Sequence, residues 1–288
     1  MDILVSTEWL AQRLGSADVA ILDASAHLPS AGRDPATEFV AHHIPGARFL
    51  GLPGLIDAES DVPSALPRKE QIDKRLSELG IVSGQSIVLY DNSALRSSAR
   101  AFFLLTRAGI DNVAILDGGL EKWLAEERGT ESGEAAPIPS AFACSECSDT
   151  LVRSKADMLA NLESRTEQIV DARDADRFTA ATDDAVHGLA GGHIPGARNL
   201  FFRQLLNADG TFKSPEQLSE AFEAAGIDPC LPLVASCGSG MTASVVLFAH
   251  RLLGHDHGAL YDGSWAEWGA DPATPKETGE PSPGKASS

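Results

Sequence analysis

The chain has 288 residues, 43 % hydrophobic and 22 % charged, the make-up of an ordinary globular protein with room for two domains, each with its own core. Its 23 Lys and Arg against 41 Asp and Glu give a formal charge of -18, a field that repels a phosphate backbone and excludes nucleic acid as a general partner. The same field disfavours small anions, so an enzyme acting on one needs a local positive pocket.

The opening stretch, MDILVSTEWLAQRLG, carries acidic residues and no cleavable signal pattern, and no apolar run approaches the roughly 18 residues that cross a bilayer. Four cysteines, Cys144, Cys147, Cys230 and Cys237, are too few for a disulfide framework at this length. A reducing, cytoplasmic setting without membrane contact is therefore expected.

The first strand-like run, VAILDAS, contains Asp23 and is followed by HIPGAR at residues 43–48. SIVLYD, a polar loop and a helix-like segment come next, then NVAILDGGLEKW. The same order returns as QIVDARD with Asp171, an identical HIPGAR at 193–198, LPLVAS, a polar loop, another helix-like segment and GALYDGSWAEW. Even the Asp-Gly steps match (Asp117-Gly118, Asp262-Gly263), each with a tryptophan five residues after the glycine, Trp123 and Trp268. Short apolar runs alternating with helical patterns predict an α/β fold in each half, a mostly parallel sheet flanked by helices.

The expected organisation is a first domain over 1–135, a linker over 136–150, a second domain over 151–270 and a disordered tail over 271–288, which has no bulky apolar residue to bury. In the linker, CSEC at 144–147 has the CxxC spacing of linker thiols, a regulatory disulfide or half of a metal site. No second pair or histidine couple accompanies it, and no metal is expected. His43 and His193 recur in both halves, so their role is structural, each expected to hydrogen-bond the turn made by its Pro-Gly step. Trp123 and Trp268 read as core packing of the last helix in each half.

The chemistry concentrates in VASCGSGMTASVV, residues 234–246, where Cys237 opens a strand-to-helix loop. Val245, Phe248 and Leu252 carry the helical spacing and Gly254 is the stop signal. Gly238 and Gly240 let successive backbone N–H groups turn inward, and a helix starting near Thr242 adds its positive end. Such surroundings lower a cysteine pKa from about 8.5 to roughly 3.5–7.5 and make it a nucleophile. A space-filling cysteine is the bland alternative. A cysteine phosphatase would need a phosphate-gripping arginine where this chain has Ala243. Aligning the two halves puts Asp91 opposite Cys237, so the first half lacks the nucleophile and is expected to serve as a scaffold completing a cleft.

The duplicated HIPGAR segments, the CGSGMT loop and YDGSWAEW resemble tandem-domain sulfurtransferases of the rhodanese superfamily over about residues 4–270. The loop is similar to that of the 3-mercaptopyruvate sulfurtransferases, whereas thiosulfate sulfurtransferases tend to carry basic residues after the cysteine. The resemblance implies two tandem rhodanese-like domains and a Cys237 thiolate that takes sulfur from 3-mercaptopyruvate, a small anionic donor. Pyruvate leaves, and a persulfide remains for a thiol, thioredoxin-like or cyanide acceptor, with no cofactor and in a chain expected to act as a monomer.

By the same resemblance, the loop from Gly238 through Gly240, Met241 and Thr242 holds the persulfide charge. The Ser239 hydroxyl bonds the substrate carbonyl or passes a proton to the leaving enolate. Arg177 matches the family arginine that binds the substrate carboxylate, while Arg173 is expected to pair with a nearby carboxylate. The second family arginine falls on Val186, and His187 beside it is a partial substitute. Asp61 resembles the aspartate of a proposed Ser-His-Asp relay, but Ser64 stands in the histidine's place, leaving Asp61 only to line the cleft. Thiosulfate as donor, or a non-catalytic sulfur-carrier or docking module, are the competing readings.

Overall fold

The computed structural model describes residues 1–134 and 136–280. The first unit contains strands β1 (Leu4–Val5), β2 (Val19–Asp23), β3 (Arg48–Phe49), β4 (Ser86–Tyr90) and β5 (Val113–Leu116). Helices α1 (Thr7–Ala11), α2 (Pro35–Ala41), α3 (Lys69–Glu78), α4 (Ser98–Arg107) and α5 (Gly119–Ala125) alternate with them. The sheet order is β1-β5-β4-β2-β3 and every pair is parallel. Ile87, Val88, Leu89 and Tyr90 of β4 are all buried, as a parallel strand covered by helices on both faces requires.

The second unit repeats this plan with β6 (Val152–Arg153), β7 (Gln168–Asp171), β8 (Arg198–Asn199), β9 (Leu233–Ser236) and β10 (Ala259–Tyr261). Its helices are α6 (Lys155–Ser164), α7 (Ala175–Thr179), α8 (Pro215–Ala224), α9 (Ala243–Leu252) and α10 (Ser264–Trp268). The order β6-β10-β9-β7-β8 is again all parallel, in register Asp171↔Ser236 between β7 and β9. The chain leaves β7 toward β8 on one side and leaves β9 toward β10 on the other. This reversal opens a crevice beyond the carboxyl ends of β7 and β9, the place where open α/β sheets bind ligands. Helix α9 is buried from Ala243 through His250, so it is a central helix with more than the one apolar face that its spacing suggests.

Three boundaries differ from those expected. Ala58–Ala65 groups with the second unit and Leu206–Phe212 with the first. The stretch expected as a free linker belongs to the first unit as far as Ser148: Ser140 N–H donates to Ser77 O, Cys144 N–H to Asp73 and Ser148 N–H to Arg107 O. Its backbone bonds replace the hydrophobic anchoring that its composition lacks. The tail is not disordered over 271–280, where Thr274 is buried and Pro275 O accepts the Trp268 indole N–H at 2.8 Å. The expectation for 281–288 lies outside the described residues.

The repeated histidines are structural, but they do not bond their Pro-Gly turns. His43 stacks on Phe39 and bonds its carbonyl through Nδ1 at 2.7 Å, and His193 does the same with Phe178 at 2.9 Å. The turn amides of Gly46 and Gly196 donate instead to Glu131 (2.9 Å) and Glu277 (3.1 Å). Trp123 and Trp268 are core residues as expected. No helix among the described residues is long and apolar enough to cross a membrane.

Candidate active site

Cys237 follows the last residue of β9 and lies at the crevice between β7 and β9. Two groups close the loop behind it. The Ser264 hydroxyl oxygen accepts N–H hydrogens from Cys237 (3.1 Å) and Gly240 (3.2 Å) while donating to Tyr261 O. The carbonyls of Cys237 and Gly238 accept from Trp265 and Ala266 at the start of α10. Gly240 adopts φ 77°, the left-handed turn that brings the chain round to α9. The N–H groups of Gly238, Ser239, Met241 and Thr242 make no hydrogen bond to another of the described residues, so the loop keeps a set of uncommitted donors.

The cysteine is 1 % exposed, more enclosed than a nucleophile at the mouth of the domain would be. Ser264 gathers the amides of Cys237 and Gly240 onto one oxygen and folds the loop over its own first residue. Ser239 and Met241 are the half-exposed side chains of the loop.

The first unit shows what such a loop holds. Leu120 N–H donates to Asp91 O as Trp265 N–H donates to Cys237 O, which fixes Asp91 as the counterpart of Cys237. The buried Asp91 carboxylate accepts N–H hydrogens from Ser93 (3.0 Å) and from Ser98 at the start of α4 (2.8 Å). One half therefore places a caged anion where the other places a sulfur atom.

The other candidate residues come from the segment after β7. Asp174 caps α7 by accepting the Arg177 N–H, and its carboxylate also takes Arg177 Nε at 2.6 Å. A turn closed by paired Asp184–Leu189 backbone bonds carries His187. Buried Asp184 then joins three side chains: His187 Nδ1 at 3.0 Å and Arg177 at 3.6 Å on one oxygen, Arg173 at 3.3 Å on the other. Burial pushes the Asp184 carboxyl up, but His187, Arg177 and Arg173 outweigh it and hold the group at about 2. Arg173 also pairs with Asp171 at 2.6 Å and lies over the Trp265 ring, so it is buried and committed. The His187 imidazole reaches the Cys237 loop, where a β-carbon on Gly238 would meet its Cε1 at 2.2 Å.

The structure thus brings Cys237, Gly238, Ser239, Gly240, Met241, Thr242, Arg177 and His187 to one end of the second unit. Val186 is exposed, and Asp61 lies exposed in the Ala58–Ala65 segment, with no hydrogen bond or ion pair to a described residue. Cys144 of the CxxC pair is buried against Asp73, and burial together with that carboxylate pushes its thiol up to about 12. It is protonated at neutral pH, which makes it a poor nucleophile. Sequence reasoning missed Asp184 and Ser264. The DD pair in ATDDAVHG, seven residues past Arg177, is the one local hint of the first.

The rhodanese-like domain family matches residues 6–126 and 154–271. The chain is 36 % identical to the 3-mercaptopyruvate sulfurtransferase of Rattus norvegicus over 271 residues, covering 92 % of this chain and 91 % of that one. It is also 36 % identical to the thiosulfate sulfurtransferase of Bos taurus over 273 residues, with the same two coverages. A solved Escherichia coli structure, described as a 3-mercaptopyruvate sulfotransferase, superposes with a TM-score of 0.83 at 34 % identity over 92 % of this chain and 99 % of that one. The repeated all-parallel sheets, the two matched segments and these relatives make the chain a member of the rhodanese family of sulfurtransferases, built from two tandem rhodanese-like domains.

Proposed function

We propose that the protein is a 3-mercaptopyruvate sulfurtransferase with Cys237 as nucleophile. The observation that carries this reading is the loop of uncommitted amides around Cys237, set at the position where the first half cages a carboxylate. The Cys237 thiolate attacks the substrate sulfur. The carbon–sulfur bond breaks with its electron pair going to carbon, and the resulting pyruvate enolate takes a proton to leave as pyruvate. The Ser239 hydroxyl, half-exposed and two residues after the sulfur-bearing residue, donates to the substrate carbonyl or relays that proton. The amides of Gly238, Ser239, Met241 and Thr242 stabilise the persulfide anion, and a thiol or cyanide then attacks the outer sulfur and restores the thiolate. Arg177 and His187 orient the substrate carboxylate, with Asp61 at the rim.

A loop without basic side chains after Cys237 supports mercaptopyruvate as donor, as does the rat relative. Thiosulfate is the second reading, favoured by Val186 in place of a second arginine and by the equally similar bovine relative. The test is to offer each donor with cyanide and follow pyruvate and thiocyanate. Pyruvate released in step with thiocyanate is expected, and thiocyanate from thiosulfate alone overturns the substrate. Multiple turnover surviving in Cys237→Ser overturns the nucleophile.

A further inference from the structure

We propose that His250, His255 and His257 form a binding site for a divalent transition-metal ion of the zinc class, separate from the sulfur-transfer site. His250 lies in the last turn of α9, and His255 and His257 lie in the short loop leading to β10. One ligating nitrogen from each falls within 4.8 Å of the others. Nitrogens around a tetrahedral zinc ion sit about 3.4 Å apart given its bond lengths, so a small closure of the half-buried loop completes the set.

Two features show that the nitrogens are prepared for a ligand. His250 Nε2 faces Pro229 O at 2.8 Å, and because a carbonyl only accepts, that nitrogen carries the hydrogen and Nδ1 keeps its lone pair. A backbone carbonyl that fixes the tautomer in this way is the usual outer support of a metal-bound imidazole. His257 Nε2 is buried and has no hydrogen-bond partner among the described residues. Leaving such an atom unpaired costs free energy that a shared cation recovers. Gly258 keeps the approach clear, since a β-carbon there would lie 3.0 Å from His250 Nδ1.

The three rings pack closely, with centroids 4.9 Å, 5.1 Å and 5.5 Å apart. Three imidazoles suit zinc, copper or nickel in preference to calcium or magnesium, and they leave a fourth position for water or an external ligand. Helix α9 separates the site from the Cys237 loop by about 12 Å, counting eight residues from Thr242 at its start to His250.

The test is a titration of the reduced full-length protein with Co²⁺, whose visible spectrum reports ligand type, followed by displacement with Zn²⁺. One equivalent is expected to bind with tetrahedral d–d bands and without a thiolate charge-transfer band. His255→Ala/His257→Ala is expected to weaken binding at least about 100-fold, and the milder His257→Gln about ten-fold. Cys237→Ser is expected to leave binding unchanged. The proposal is overturned by the absence of saturable binding, by a charge-transfer band that disappears in Cys237→Ser, or by undiminished affinity in the double variant with its fold intact by circular dichroism.

Discussion

The imidazole of His187 lies against the α-carbon of Gly238, so close that a β-carbon at 238 would come within 2.2 Å of its Cε1. Asp184 pins the ring through Nδ1 at 3.0 Å, so it has little freedom to step aside. Gly238 is thus needed for this close approach, and Gly240 for its positive φ. Gly238→Ala is expected to displace His187 and lower kcat/KM for 3-mercaptopyruvate about ten-fold, mostly through KM. The double variant with His187→Ala should lose little more than either single change, because the two residues share one contact. Additive losses in a full double-mutant cycle would contradict this coupling.

Asp184 carries the next prediction. Removing its charge leaves the buried Arg173 with Asp171 as its one remaining carboxylate, leaves Arg177 paired with Asp174 only, and frees the His187 ring. Asp184→Asn is expected to cost about 3–5 kcal/mol, the range for breaking a buried ion pair from one side. Its folded-state pKa of about 2 lies below the ordinary value of 3.8, so the stabilisation is present above that ordinary value and is lost as pH falls through about 2. Urea midpoints of wild type and variant should therefore differ widely at neutral pH and converge toward about pH 2. A gap independent of pH would assign the effect to packing.

Ser264 binds no substrate in the proposed scheme, yet it ties the loop together through two amides. Ser264→Ala leaves two buried N–H groups without their acceptor, a cost of about 1–3 kcal/mol each if the loop cannot rearrange. Persulfide formation in a single turnover is expected to slow about ten-fold while KM changes little, since the residues proposed to bind the carboxylate lie on another segment. A purely structural serine would lower Tm and leave that rate alone.

The tandem sheets were legible because they depend on local patterns: apolar runs, crossover helices and a repeat that includes HIPGAR twice. The proposed nucleophile stood out for the same reason, as a cysteine between a strand and glycines. Ser264 was not, because its partner Cys237 lies 27 residues away and no local pattern links a hydroxyl to a distant amide. Glu131 and Glu277 were hidden by composition. Glu277 sits in the expected tail and Glu131 in the polar stretch just before the expected linker, yet each exchanges backbone bonds with His193 or His43 and caps a turn amide with its carboxylate. Backbone pairing of this kind leaves almost no trace in side-chain hydrophobicity.

The first unit offers a contrast with Asp171 and its arginine. Asp23 holds the corresponding strand end, but Ser25 replaces Arg173, and burial pushes its carboxyl up to about 6. A raised folded-state pKa means stability that is complete below the unfolded value and is lost as pH rises through about 6. Asp23→Asn keeps an acceptor for the Ser25 N–H and removes the ionisation penalty. It is expected to exceed wild type by about 3 kcal/mol or less at pH 8, the advantage vanishing below about pH 4. Equal Tm values at both pH values would show that Asp23 ionises without cost.

Val186 tests how the site manages with a single arginine. Arg177 already shares its guanidinium between Asp174 at 2.6 Å and Asp184 at 3.6 Å, so an incoming carboxylate meets a cation that is largely compensated. The side chain at 186 is 43 % exposed and adjoins His187, leaving room for a longer group to extend without disturbing the core. Val186→Arg is expected to lower KM for 3-mercaptopyruvate about five- to ten-fold with kcat nearly unchanged, because added charge binds ground state and transition state alike. The gain should shrink at high salt, as screening weakens an exposed pair. A KM that does not move at low salt would mean that the segment after Asp184 does not face the substrate, and the carboxylate-binding role would then rest on Arg177 and the loop amides alone.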